Sequence, residues 1–211
     1  MITKAFSKEK WSYLLYTLTH PVDGYYWIRH SDKGSLPIAF LMVFLFSASF
    51  SANRLLASFV VNDIDPRTVD SLYEFFGVLA FYILLCVSNW SITCLMGGEG
   101  RMKDILTAVG YGTMPITIGL VLSTIVSQAV ADEEQAFYSI ILGVCVAWGV
   151  IMIIIGIMQV HNFSAGKTLG TLILTFLAML IIVFLALLLT NLIGKVYNFF
   201  RSIYTELIFR T

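Results

Sequence analysis

Five long apolar stretches, at about 37–61, 75–96, 105–130, 137–160 and 169–194, constrain this chain more than any other feature. Each reaches the roughly 20 residues that a helix needs to cross the hydrocarbon of a bilayer. None alternates strictly between polar and apolar residues, and all are too long for barrel strands. Away from water, a helix satisfies its own peptide groups. The expected fold is therefore an all-α integral membrane protein with five transmembrane helices. Composition agrees. Hydrophobic residues make up 58% and charged residues 12%, where a soluble domain carries about a quarter charged residues to coat its core. Mean hydropathy is +0.86.

The 13 basic and 13 acidic residues cancel, so no basic face points to nucleic acid. Cys86, Cys94 and Cys145 all lie inside apolar stretches without a CxxC spacing. No disulfide, metal site or cofactor is expected from them. Lys8, Glu9 and Lys10 interrupt the N-terminal stretch. It therefore lacks the apolar core of a cleavable signal, and the first span itself directs insertion.

Orientation follows from the short loops. With the N-terminus in the cytoplasm, that side receives Lys4, Lys8, Lys10, Arg29, Lys33, Arg101, Lys103 and Lys167. The other side receives Arg54, Arg67, Lys195, Arg201 and Arg210. The bias places the N-terminus inside and the C-terminus outside. Residues 1–35 form a cytoplasmic amphipathic segment, 36–194 the five-span domain and 195–211 an amphipathic C-terminal segment. In that last segment Val196, Phe199, Phe200, Ile203, Tyr204, Leu207 and Ile208 recur at helical spacing opposite Asn198, Arg201, Thr205 and Glu206. In the first, Trp11, Leu14, Leu15 and Leu18 share a face, and Pro21 ends the helix, since the residue before a proline is biased away from helix. Both segments read as interfacial anchors.

Chemistry-bearing patterns are few. "GGEGRMKD" at 97–104 lacks the GxxxxGK[ST] spacing of a phosphate loop, and "SAGKTLG" at 164–170 has His161 where the earlier glycine is required. A turn is the better account of the first. Gly97 and Gly98 cap the second span, while Arg101 and Lys103 anchor the membrane surface. Small residues let spans approach closely: Gly119, Ser123 and Ser127 on the third, Gly143 and Ala147 on the fourth. Pro115 leaves the Tyr111 carbonyl without a donor, so a kink is expected there, with Gly110 and Gly112 nearby. Asn89, beside Trp90, reads as interhelical glue, and His161 as a hydrogen-bonded residue at the interface. Arg54 is expected to snorkel or to pair with Asp63 or Asp65. No span carries an acid in its middle, so a proton relay has no titratable group, and no catalytic constellation is visible.

Four segments in order, "HPVDGYYWIRH", "SNWSITCLMGGEGRMKDI", "GYGTMPI" and "GIMQVHNFSAGKT", resemble the Yip domain family of Ypt/Rab-interacting membrane proteins, in its compact bacterial form. The resemblance runs from about His20 to Ile193. It implies five spans, a cytosolic N-terminus and no enzyme activity. It also implies His20, Pro21, Asp23, Gly24, Gly98, Gly100, Lys103, Gly110, Tyr111 and Pro115 as motif positions. Eukaryotic members are associated with Rab binding and vesicle trafficking; bacterial ones look like accessory components of membrane complexes, some beside carbohydrate ABC importers.

The expected function is a non-catalytic adaptor that contacts the lipid bilayer and another integral-membrane complex, with ABC importer permeases as the concrete candidate. The loops around Asp23, Glu99 and Lys103 are expected to fold together and either brace the bundle or contact the partner, with Asn89, Trp90 and His161 as further contact candidates. The alternatives are a small transporter or channel, its path lined by Asn89 and Pro115, and, in a eukaryote, a trafficking factor.

Overall fold

The computed structural model describes residues 7–209. Lys4 and Arg210, both used in the orientation argument, lie outside them. Seven α-helices follow one another: α1 (Lys8–Thr19), α2 (Pro21–Ser31), α3 (Leu36–Leu56), α4 (Ser71–Leu95), α5 (Met102–Ser127), α6 (Gln135–His161) and α7 (Ala165–Phe209). Short 3-10 turns lie at Pro66–Thr68 and Asp132–Glu134. The helices α3 to α7 are each long and apolar enough to cross a membrane. The chain is an integral membrane protein of five spans.

The spans start and stop where local chemistry dictates. Asp70 begins α4 four residues ahead of its apolar run, because its carboxylate accepts from the N–H groups of Leu72 and Tyr73 (3.0 and 3.1 Å). Leu56 ends α3 short of residue 61, because Ser58–Asn62 closes a turn and Asn62 donates back to the Arg54 carbonyl (2.9 Å). Gly97, at φ +71°, ends α4, and the Gly98 N–H reaches the Thr93 carbonyl at 2.7 Å, as in a Schellman cap. Pro115 does not interrupt α5.

The helix α5 is the hub. Of its most apolar stretch 61% is buried, against 11% for α7. It packs chiefly on α6 and α3, whereas α7 leans mainly on α4. Gly110 brings α5 onto α3: a Cβ there would stand 2.9 Å from the Ala39 carbonyl oxygen. Gly119 packs on Cys145 of α6, and Ser123 and Ser127 are buried. The packing face of α6 is not the one expected. Gly143 and Ala147 are exposed, and the buried face runs through Gly149, Met152, Gly156 and Val160. Small size at i and i+4 marks a stripe without saying which side of the helix meets a neighbour.

Polar groups close the bundle at the end where α3 stops, the far end. Arg54 pairs with Glu74 at 2.6 Å rather than with Asp63 or Asp65, because α4 starts early enough to bring Glu74 alongside. Ser51 donates to the same carboxylate. Asn53 donates to Thr124 (2.8 Å) and accepts from Tyr138 (3.0 Å), tying α3, α5 and α6 together.

The two N-terminal helices form an antiparallel hairpin. Tyr13 donates to the Gly24 carbonyl (2.6 Å), and a Cβ on Gly24 would lie 2.8 Å from the Thr17 Cα, so only glycine permits this approach. The hairpin does not lie flat in an interface. It stands along the bundle, with Tyr25 donating to the Ala108 carbonyl (3.2 Å) and Trp148 to the Leu18 carbonyl (3.3 Å). The C-terminal flanking segment is helical over 195–209. It continues α7, which runs 45 residues without a break, since no proline follows Pro115.

Candidate functional site: the near-end clamp

Four segments converge at the opposite, near end: the end of α2, the start of α3, the 96–101 loop and the end of α6. Asp32 leaves α2 in the left-handed region (φ 49°). That turn aims its carboxylate at the start of α5, where it accepts from Arg101 (2.7 Å) and Lys103 (2.8 Å). Arg101 also grips Asp104 through Nε (2.7 Å) and Nη2 (3.1 Å). Asp104 in turn accepts from the Arg101 backbone N–H at 3.3 Å, the acidic half of a capping box. Its side chain is only 3% exposed, that of Asp32 62%. Hydrogen bonds from Lys103 and then Arg101 hold the Asp32 carboxyl below the usual carboxylate range. Arg101 and Lys103 are thus not free membrane anchors. The hairpin delivers an acid to both.

Lys10 completes the join. Its ammonium donates to the carbonyls of Asp32, Lys33 and Gly34 at 2.7, 2.8 and 3.0 Å, groups left open where α2 ends. A lysine there also suits the negative end of the helix dipole. Tyr111, buried in α5, accepts from the Ser35 N–H at 3.0 Å and fixes the start of α3. A small cleft of about 200 Å³ remains between Ile28, Asp32, Gly34, Lys103, Asp104 and Thr107.

The glycines of the 96–101 loop serve His161. That ring is buried at the end of α6 and stacks on Phe163 (5.4 Å between centroids). The Gly100 N–H donates to its Nδ1 at 3.2 Å. An accepting Nδ1 makes the imidazole neutral, with its proton on Nε2. A Cβ on Gly98 or Gly100 would come within 2.6 Å of the ring. His161 is therefore an interior post on which the loop rests, not an interfacial residue.

The sequence-derived candidates do not form one site. Lys103 joins the clamp, Glu99 is exposed, and Asp23 sits at the other end of α2, on the hairpin tip. Pro21 is buried as the first residue of α2; His20 is exposed and stacks on Tyr16 (4.9 Å). Trp90 is 43% exposed. Asn89 is fully buried and donates to Thr175 at 3.1 Å, within a polar seam between α4 and α7 that includes Thr168 and Thr171. Pro115 lines a different, shallow groove with Leu18, Val144 and Trp148. The sequence reading missed Asp32, Asp104 and Lys10. Arg-x-x-Asp at a helix start was the available signal for Asp104, whereas Asp32 and Lys10 depend on hairpin geometry. Among the described residues no group of three or more His, Cys, Asp or Glu side chains could hold a metal ion.

No curated protein and no solved structure matches the sequence significantly. A family model described as the Yip1 domain matches residues 15–197, from the second half of α1 through α2 to α6 and into α7. The chain belongs to the Yip1 domain family of membrane proteins.

Proposed function

We propose that this protein is a non-catalytic membrane adaptor that binds another integral-membrane complex, with the clamp end in the cytoplasm and the end of α7 outside. One observation carries the reading. Buried Leu14, Tyr25 and Ile28, with the Tyr25 hydroxyl on the Ala108 carbonyl and the exposed Asp32 ion pairs in addition, hold the hairpin against the bundle and leave its outer face, with Leu15, Tyr16, Val22, Tyr26 and Trp27 exposed, on display. Such a mount suits a partner-binding surface. The basic loops on the clamp side favour the proposed orientation. The permease of a carbohydrate ABC importer is the partner class that the family resemblance offers.

The transporter alternative is less well supported, because Asn89 and Pro115 belong to separate contacts rather than to one path. Purification at native expression in mild detergent, after crosslinking in intact membranes, tests the adaptor reading. A second membrane protein in stoichiometric amount is the expected result. Recovery of the chain only as a lone monomer would overturn it.

A further inference from the structure

The hairpin tip reaches half-way down the bundle. Leu18 and Thr19 share a groove with Pro115, Ile118, Val144 and Trp148, and Pro115 and Trp148 lie near the middle of α5 (Met102–Ser127) and α6 (Gln135–His161). From Arg101 to Pro115 the α5 axis rises by about 20 Å. The tip is therefore far below the clamp, at the depth of the hydrocarbon that these spans cross. Yet Thr19, His20, Val22 and Asp23 are all exposed there. The Asp23 side chain makes no hydrogen bond or ion pair among the described residues. Its position in the first turn of α2 suits the helix dipole, which contributes about 0.3–1 kcal/mol. Holding a charge at the centre of a membrane costs roughly 2.5–3.5 kcal/mol. The dipole is too small to offset that, so the carboxylate calls for a cation.

Among the described residues no lysine or arginine stands at that depth. Within α3 to α7 the basic residues are Arg54, in the last turn of α3 and engaged with Glu74 at the far end, Lys103 and Lys167 in the first turns of α5 and α7 at the near end, and Lys195 and Arg201 in the far part of α7. We infer that Asp23 is the docking point for a transmembrane segment of a different protein that carries a lysine or arginine near its centre. The segment packs on the exposed hairpin face formed by Tyr16, Val22 and Tyr26. The inference rests on the adaptor reading and names the chemistry of its contact.

The test is photocrosslinking in native membranes from a photoreactive residue in place of Val22, with Ile173 on the exposed face of α7 as control position. The expected adduct maps to a spanning segment with a central lysine or arginine, and is absent at 173. Its yield falls about ten-fold or more in Asp23→Asn, is kept in Asp23→Glu, and returns when Asp23→Lys is combined with an acid in place of the partner's basic residue. Equal thermal melting of Asp23→Asn and the parent shows that the fold is intact, as the side chain has no intramolecular hydrogen bond to lose. An unchanged yield in Asp23→Asn, an adduct of the chain with itself through His20, or adducts with lipid alone would each overturn the inference. If a partner co-purifies equally with the parent and with Asp23→Asn, the adaptor reading stands and this one falls. If none co-purifies with the parent, the adaptor reading itself fails.

Discussion

Single residues at the clamp differ in what they contribute, and burial separates them. Asp104 is enclosed and accepts three hydrogen bonds from Arg101. Asp104→Asn removes the charge from a buried, hydrogen-bonded pair and should cost about 1–3 kcal/mol. Asp32 is mostly exposed, and exposed ion pairs are weak and screened by salt. Asp32→Asn should therefore lower thermal stability in detergent less than Asp104→Asn, with a deficit that shrinks at high salt. The pH dependence follows from the same pair. Folding lowers the Asp32 pKa, so its contribution is complete above the unfolded value near pH 4 and is lost as the pH falls through the lower folded value. Melting followed from pH 7 to pH 3 should show a decline at the acid end that Asp32→Asn lacks in part. A third expectation concerns the loop. Gly100→Ala places a methyl against His161 and Val160 and should cost about 1–3 kcal/mol by overpacking. A double variant with His161→Ala should be less destabilised than the sum of the two single changes. The turn itself was readable in the sequence, because glycines between apolar runs mark one. That the glycines accommodate a buried imidazole was not, since His161 lies 61 residues after Gly100.

At the scale of elements, hydrophobic length alone located all five spans, since the bilayer sets a minimum that few other structures meet. The ends of α3 to α6 shifted by a few residues where caps such as Asp70 overrode hydropathy, whereas α7 runs on well past its apolar stretch. The hairpin was half legible. Pro21 marks its turn, and the apolar face of α1 marks what it buries, but amphipathicity does not distinguish a helix lying on lipid from one packed upright on protein. The contact between Gly24 and Thr17 and the reach of Lys10 decide the matter, and both are tertiary. The seam between α4 and α7 offers a test at this scale. Thr175→Val deletes the acceptor for Asn89 and should weaken the docking of α7 by about 0.5–1.5 kcal/mol. Protease protection of α7 in detergent would report it, and an unchanged digestion rate would contradict the role given to Asn89.

For the whole molecule, the bundle is organised around α5, and each further element is held by a different device. Close backbone approach holds α3, the Tyr82 hydroxyl on the Leu106 carbonyl holds α4, small residues hold α6, buried Tyr25 and Ile28 together with the clamp hold the hairpin, and a threonine seam holds α7 on α4. The far part of α7 takes no part in this. Its residues from about 180 onward are almost all exposed, so a stop codon in place of Lys195 should leave the melting temperature of the purified protein unchanged, while full-length protein retains whatever contacts the last turns make in the membrane.

That geometry has a mechanical side. A rod of 45 residues whose buried positions run from Thr168 to Met179 acts as a pointer pivoting on a short bearing. A swing of about 5° at the bearing displaces the tip by roughly 4 Å over a lever arm of about 50 Å. Small adjustments among the threonines would thus be broadcast, enlarged, to the opposite side of the bilayer.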